Sequence, residues 1–319
     1  MSDIILRVLL AALVFPGGLF VIVLGLGLKG LERRIVARLQ RRIGPPLLQP
    51  FYDLAKLMRK DGFVPELAQP GVFLLAPLIG VASMSVAMAM LPIAGVYTPA
   101  PVFGDLIVLF YLISLPALAL MLAGSASSSP FGAIGFSREM ALMLAYEAPI
   151  LLVIAAVALH VGRGTGAVAS FDLAGIVDYQ RVHGPFLLEW RLVPALLAYL
   201  AFMPANLGIP PFDIPEAETE LAEGPLLEYS GASLGLFKLG AAIKTLVIAA
   251  LGIVLFCPNG PTGALGLLLF VVKCIVVIAG LALFRVTMGR MRIDQAVLFY
   301  LKWPVLLGGL ALAAVTLRI

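Results

Sequence analysis

Runs of apolar residues long enough to cross a bilayer decide what this chain can fold into. A hydrocarbon core about 30 Å thick needs about 20 apolar residues in helical form. Eight stretches meet that length: 4–28, 71–94, 104–123, 136–160, 190–208, 232–256, 263–287 and 295–317. Only 13% of the 319 residues are charged and 61% are hydrophobic, whereas soluble domains carry roughly a quarter charged residues. The expected fold is all-α: a polytopic membrane protein of about eight transmembrane helices, built as one integral membrane domain over 1–319. Pro16, Pro77, Pro116, Pro149, Pro194 and Pro204 fall inside the runs, which membrane helices tolerate where neighbours re-satisfy the freed backbone groups. The segment after Met1 lacks a basic start, and the first apolar run is too long for a cleavable leader. No internal repeat marks the two halves of a secondary transporter.

Lysine and arginine placement sets the expected orientation. The first loop holds Lys29, Arg33, Arg34, Arg38, Arg41, Arg42, Lys56, Arg59 and Lys60. Arg138 follows in the third loop, and Arg285, Arg290 and Arg292 in the seventh. The opposite side holds Arg7, Arg163, Arg181, Arg191 and Arg318. The odd loops are therefore expected in the cytoplasm and both termini outside. Residues 45–60 are too short and too charged to span. Leu47, Leu48, Phe51, Leu54, Leu57 and Met58 recur there at helical spacing, which predicts an amphipathic helix at the cytoplasmic interface.

Between the fifth and sixth runs lie Asp213, Glu216, Glu218, Glu220, Glu223 and Glu228, with no basic residue among them. They make up a third of the chain's 18 acids. Crowded carboxylates raise one another's proton affinity, so such a loop can load and release protons as nearby charge changes. A solvated partner-binding loop is the plainer alternative. Phe212, Leu221, Leu226 and Leu227 favour burial against protein.

Three ionisable residues fall deep within the runs. Rise along a helix puts Glu147 at roughly 16 Å depth, Lys244 at roughly 18 Å and Lys273 at roughly 15 Å, all near the midplane. A charge at that depth costs at least about 2.5–3.5 kcal/mol unless paired or hydrated, and such groups mark ion paths by default. A proton relay and a structural ion pair are the two readings. Glu139, two turns before Glu147, is expected to connect it with the cytoplasmic mouth. Lys238 is shallow enough to snorkel.

Other chemistry has little support. His160 and His183 are badly placed for a haem, Cys257 and Cys274 make no iron–sulfur or zinc pattern, and no phosphate-binding glycine loop is present. The chain is expected to hold no metal or cofactor and no nucleic acid, and to catalyse nothing alone.

Longer motifs carry a resemblance. Glu32-Arg-Arg-Ile-Val-Ala-Arg-Leu-Gln-Arg-Arg-Ile-Gly-Pro-Pro-Leu-Leu-Gln-Pro-Phe-Tyr-Asp-Leu-Ala-Lys-Leu57 resembles the first cytoplasmic segment of the subunit 1 family of respiratory complex I. Pro211-Phe-Asp-Ile-Pro-Glu216, with Glu218, Glu220 and Glu228-Tyr-Ser-Gly231, is similar to that family's acidic loop. Gly135, Arg138 and Tyr146-Glu147 fit its fourth helix, and Phe284-Arg285 with Gly289-Arg-Met-Arg-Ile-Asp-Gln295 its last cytoplasmic loop. The compact stretch Arg42-Ile-Gly-Pro-Pro-Leu-Leu-Gln-Pro50 looks like the membrane anchor of group 4 energy-converting nickel–iron hydrogenases, of the formate hydrogenlyase and carbon-monoxide-induced types. Asp294-Gln295 keeps the complex I form.

The resemblance implies an anchoring and coupling subunit beneath a peripheral arm. Its partners would be hydrogenase large and small subunits, an iron–sulfur subunit and antiporter-like membrane subunits. The nickel–iron centre and iron–sulfur clusters would sit in those partners. The complex would move protons or sodium ions across the cell membrane. The alternative it implies is the quinone-binding subunit of a complex I-like NADH:quinone oxidoreductase. Glu147 matches the family's membrane glutamate. Asp213, Glu216, Glu218, Glu220 and Glu228 match its acidic funnel, and Asp61 the acid after the interfacial helix. Arg34, Arg41, Arg285 and Arg292 match positions expected to dock the peripheral subunits. Glu139, Glu223, Lys244 and Lys273 are coupling candidates from depth and position alone.

Overall fold

In the first apolar run, Pro16-Gly17-Gly18 interrupts the helix, because proline supplies no amide and glycine favours irregular backbone. The computed structural model describes residues 2–93, 95–100, 103–216 and 218–317, with the side chains of 2–7, 218 and 219 excepted. It shows α1 (Ser2–Leu13), a turn, and α2 (Gly18–Leu39) where one span over 4–28 was expected. Helix α2 runs on through Lys29–Arg38, since Leu, Arg, Lys and Glu all favour helix and charge alone does not end one. After it come α3 (Gln49–Arg59), α4 (Pro70–Met90), α5 (Leu106–Ala126), α6 (Pro130–Thr165) and α7 (Leu173–His183). The rest are α8 (Val193–Asn206), α9 (Glu218–Leu221), α10 (Gly231–Phe256), α11 (Ala264–Thr287) and α12 (Ile293–Leu317).

Seven segments among the described residues are long and apolar enough to span: Val8–Leu39, α4, α5, α6, α10, α11 and α12. The expected span 190–208 is shorter. It becomes a 3-10 turn over Trp190–Leu192 followed by the 14 residues of α8. Pro194 is suited to the first helical turn, and Gly208, with φ +60°, follows closely on the end.

Helix boundaries follow local chemistry. Asp105 caps α5 through the amides of Ile107 and Val108, and Asp172 caps α7 through Ala174 and Gly175. Helix α6 begins with Pro130 at its first turn and ends at Gly166 in the left-handed conformation.

Helix α10 forms the hub. It packs on α4, α2, α3 and α11, while α6 packs on α12, α5 and α8. Its residues from Ala242 to Leu251 are continuously buried. Helix α3 lies across α2 and α10, held by Asp53, which accepts from Arg33 at 2.8 Å and from Gln49 at 2.8 Å. A Cβ on Gly30 would meet the Leu47 carbonyl oxygen at 2.0 Å, so only glycine lets that chain lie against α2. The one regular element in 45–60 is this 11-residue helix.

Candidate functional site

The acidic loop folds down against the bundle. Gly135 on α6 gives Pro225 room: a Cβ there would meet Pro225 Cδ at 2.5 Å. Gly224, at φ +52°, lies so close to the Pro215 carbonyl that the loop doubles back on itself. Phe212 and Ile214 are buried, and Tyr229 stacks on Phe73 with ring centroids 3.9 Å apart and donates to its carbonyl oxygen. Of the four apolar residues that favoured burial, Phe212 and Leu221 are buried, Leu226 is half-buried and Leu227 is exposed.

Below the loop is a cavity of about 220 Å³. Glu139 of α6, Asn206 at the end of α8, Asp213, Glu216 and Glu223 of the loop, and Lys238 and Lys244 of α10 all line it. Pro77 and Pro116 stand in the same wall, on α4 and α5. Five of the coupling candidates therefore meet in one space. Glu139 is 8% exposed and Lys244 9%, so both depend on the cavity for solvation. Among the described residues, no ion pair within 4.0 Å joins them to a partner.

Glu216 is exposed and also lines the cavity. Protein crowding around it holds its carboxyl above the usual carboxylate range. Lys244 and Lys29 pull the other way, and Glu223 and Asp213 add to the rise. Glu220 points to the other side of the loop. Its hydrogen bond from Arg138, 2.6 Å long, and that residue's charge lower its carboxyl. Arg290 grips Asp213 through both carboxylate oxygens. Arg138, Glu220, Arg290, Arg292 and Asp294 line a groove of about 260 Å³. Two arginines from separate elements thus pin the loop, one from α6 and one from the α11–α12 connection.

Other expected residues lie elsewhere. Glu147, one helix with Glu139, is half-buried near Ser114, and its Oε1 is buried with no partner. It does not line the cavity. Glu228 is half-buried and Asp61 exposed, both away from it. The Glu218 side chain lies outside the described residues. Arg34 and Arg41 are exposed. Arg285 is spent partly within the chain: it donates to Glu32 at 3.2 Å, and Lys29 donates to the same carboxylate at 2.7 Å. Glu32 is 4% exposed, so this triad ties α2 to α11 in the interior.

Lys273 departs from the expected grouping with Glu147 and Lys244. Its ammonium donates to the carbonyl oxygens of Cys257 and Asn259, just past the far end of α10. A flexible lysine stem reaches up the helix to carbonyls that have no intrahelical donor, and depth counted at Cα misplaces its charge.

Sequence reasoning passed over Asn206, Lys29, Glu32 and Arg290. Asn206 had a visible signal, as a polar residue within an otherwise apolar run. The Lys29–Glu32 spacing of one helical turn was a second.

A family model described as NADH dehydrogenase matches residues 10–316. This chain belongs to the NADH dehydrogenase family. Its motifs and fold are of the complex I subunit 1 type. Formate hydrogenlyase subunit 4 of Escherichia coli (strain K12) is 36% identical over 274 residues, covering 84% of this chain and 86% of the relative. A subunit of the NADH-quinone oxidoreductase of Brevibacillus brevis is 33% identical over 295 residues, with 86% and 82% covered. Hydrogenase-4 component C of Escherichia coli (strain K12) is 35% identical over 244 residues, with 75% and 72% covered. Among solved structures, a chain of the membrane-bound sulfane sulfur reductase, an archaeal respiratory membrane complex, superposes with a TM-score of 0.85 at 27% identity. That match covers 98% of this chain and 99% of the other.

Membership of the NADH dehydrogenase family makes the chain a membrane subunit, and its relatives are subunits of hydrogenase and complex I-like assemblies. Within the family's frame, the cavity joins the acidic loop to α6 and α10. That arrangement can exchange protons and hold a variable charge. Among the described residues, no group of three or more His, Cys, Asp or Glu side chains gathers as a metal site would require.

Proposed function

We propose that this chain is the membrane anchor and energy-coupling subunit of a multisubunit, ion-translocating nickel–iron hydrogenase complex. Electron transfer in a peripheral arm would change charge above the acidic loop. The loop would pass that change through Glu139 and Lys244, and onward by Glu147, to antiporter-like membrane partners. The nickel–iron centre and iron–sulfur clusters belong to the hydrogenase large and small subunits and the iron–sulfur subunit in this reading. The basic loops support a cytoplasmic arm, acidic loop and α3, and outside termini with α8 counted as an eighth, shorter crossing. Arg34, Arg41 and Arg292 are available at that face for docking, and Arg285 in part.

The observation that carries the reading is the single cavity shared by Asp213, Glu216 and Glu223 with Glu139 and Lys244. A redox-linked charge beside the loop changes the proton affinity of Glu216, which already responds to Lys244, Glu223 and Asp213. The test is Glu139→Gln in the intact complex, reconstituted in sealed vesicles. Hydrogen chemistry in detergent should persist while ion translocation is lost. Full translocation by that variant would remove Glu139 from the path.

A second reading keeps the same cavity but makes the chain the quinone-binding subunit of a complex I-like oxidoreductase. The 33% identity to the NADH-quinone oxidoreductase relative and the Asp294-Gln295 pair favour it. Purification of the native complex separates the two. A co-purifying large subunit with four metal-binding cysteines and bound nickel supports the hydrogenase reading. Nickel-free preparations that reduce quinone support the other.

A further inference from the structure

Buried polar groups here almost always find a protein partner. The hydroxyls of Tyr97, Tyr199, Tyr229 and Tyr300 each donate to a backbone carbonyl. Tyr146 is the exception: its side chain is fully buried and its hydroxyl has no partner. Beside it is Asn206, 3% exposed, with both the Nδ2 and the Oδ1 of its amide unpartnered. Each such orphan is destabilising if left dry. The two side chains approach each other without reaching hydrogen-bond geometry, and Asn206 also lines the cavity. Tyr146 lies seven residues after Glu139 on α6, so the two share a helix face about 10 Å apart. Glu147, with its own orphan oxygen, is the next residue.

We infer that Asn206 and Tyr146 hold a buried water between them, and that this water extends the cavity from Glu139 toward Glu147. The inference rests on the proposed coupling role of the cavity. Water fits the chemistry of the gap better than a metal cation. A sodium ion would satisfy Oδ1 and the phenol oxygen but leave the Nδ2 hydrogens unpaired. Water accepts from Nδ2 and donates to an oxygen at once. The cavity that Asn206 lines, about 220 Å³, far exceeds the roughly 10–15 Å³ that one water needs. A water here gives Tyr146 and Asn206 the partners that the protein withholds. It also makes a hydrogen-bonded link along which a proton, and not a bare ion, can pass.

The test is cryo-EM of the intact complex in nanodiscs at a resolution that shows waters. Density within hydrogen-bonding reach of Asn206 Nδ2 and Tyr146 Oη is expected in sodium and in potassium buffer alike. It should be missing from Asn206→Leu. In vesicles, Asn206→Leu should translocate several-fold fewer ions per electron, with Asn206→Asp retaining most of the native ratio. An empty gap, density that vanishes when sodium is withdrawn, or normal translocation by Asn206→Leu would each overturn the inference. Should Asn206→Leu fail to assemble, Tyr146→Phe removes only the hydroxyl and must also lose the density. Native translocation by Asn206→Leu together with loss in Glu139→Gln would reject the water link and leave the coupling role standing.

Discussion

The far end and the middle of α10 solve the same problem in opposite ways. Each brings a lysine and an amide side chain into an apolar bundle. At the far end, Lys273 donates to the Cys257 and Asn259 carbonyls. Gln180 donates to Val254 and Leu255 and accepts from the Phe186 amide. Every polar atom of Gln180 is thereby used, and the helix's last carbonyls are satisfied. At its middle, Lys244 and Asn206 of α8 face a cavity beside Glu139 and Glu216, and neither polar atom of the Asn206 amide has a hydrogen-bond partner. Satisfied groups rigidify, whereas unsatisfied ones beside a cavity stay responsive to water and charge. Residue type does not separate structure from function here. Completeness of the hydrogen bonding does.

Substitutions should expose that difference. The largest loss of stability belongs to Gln180→Leu, which removes three buried hydrogen bonds and strands two helix-end carbonyls. About 3 kcal/mol is expected, read as a lowered melting temperature of the solubilised complex. A melting temperature equal to that of the native complex would show that water replaces the side chain at no cost. Lys273→Met should cost somewhat less, about 2 kcal/mol, because two charge-assisted bonds disappear together with a buried ammonium. Its coupling should be native.

Smaller effects are expected around the loop. Glu216 binds its proton more tightly folded than unfolded, so its ionisation works against folding. Stability attached to it is whole below about 4.5, the ordinary glutamate value, and falls as pH rises through the elevated folded value. Glu216→Gln should flatten that fall and raise the melting temperature slightly at neutral pH. A steeper decline in the variant would reverse the assigned sign. Smallest of all is Arg138→Ala. Its partner Glu220 is held below the ordinary glutamate value, so the pair contributes above that value and fades as pH drops through the lowered one. Exposed pairs matter little to stability. The variant should shift the melting temperature barely, while faster protease cleavage at the loop reports its release. Unchanged cleavage would mean that Arg290 alone fastens it.

Much of this was readable in advance where composition speaks. Spans at α4, α10, α11 and α12 followed from apolar length, and the fate of the acidic loop from Phe212 and its neighbouring leucines. The first span is present with other bounds, Val8–Leu39, because an apolar count is blind to the break at Pro16-Gly17-Gly18 and charge in α2 looked like a loop. The site was legible in part. Glu139, Glu216 and Lys244 stood out as charges in costly places. Their shared cavity did not, because it is assembled from five helices and a loop far apart in sequence. Lys273 stood out for the same reason as Lys244, yet only three-dimensional structure reveals that its stem reaches back to free carbonyls. Asn206 carries no charge, so an argument from charge cost passes over it.

The two lysines give the most direct test. Lys244→Met and Lys273→Met would each be made in the intact complex, and ions translocated per electron compared in sealed vesicles. Lys244→Met should uncouple, with electron transfer continuing and translocation lost, whereas Lys273→Met should keep the native ratio in whatever complex survives. Native coupling in Lys244→Met, or equal uncoupling in both, would contradict the assignment of the cavity as the coupling element.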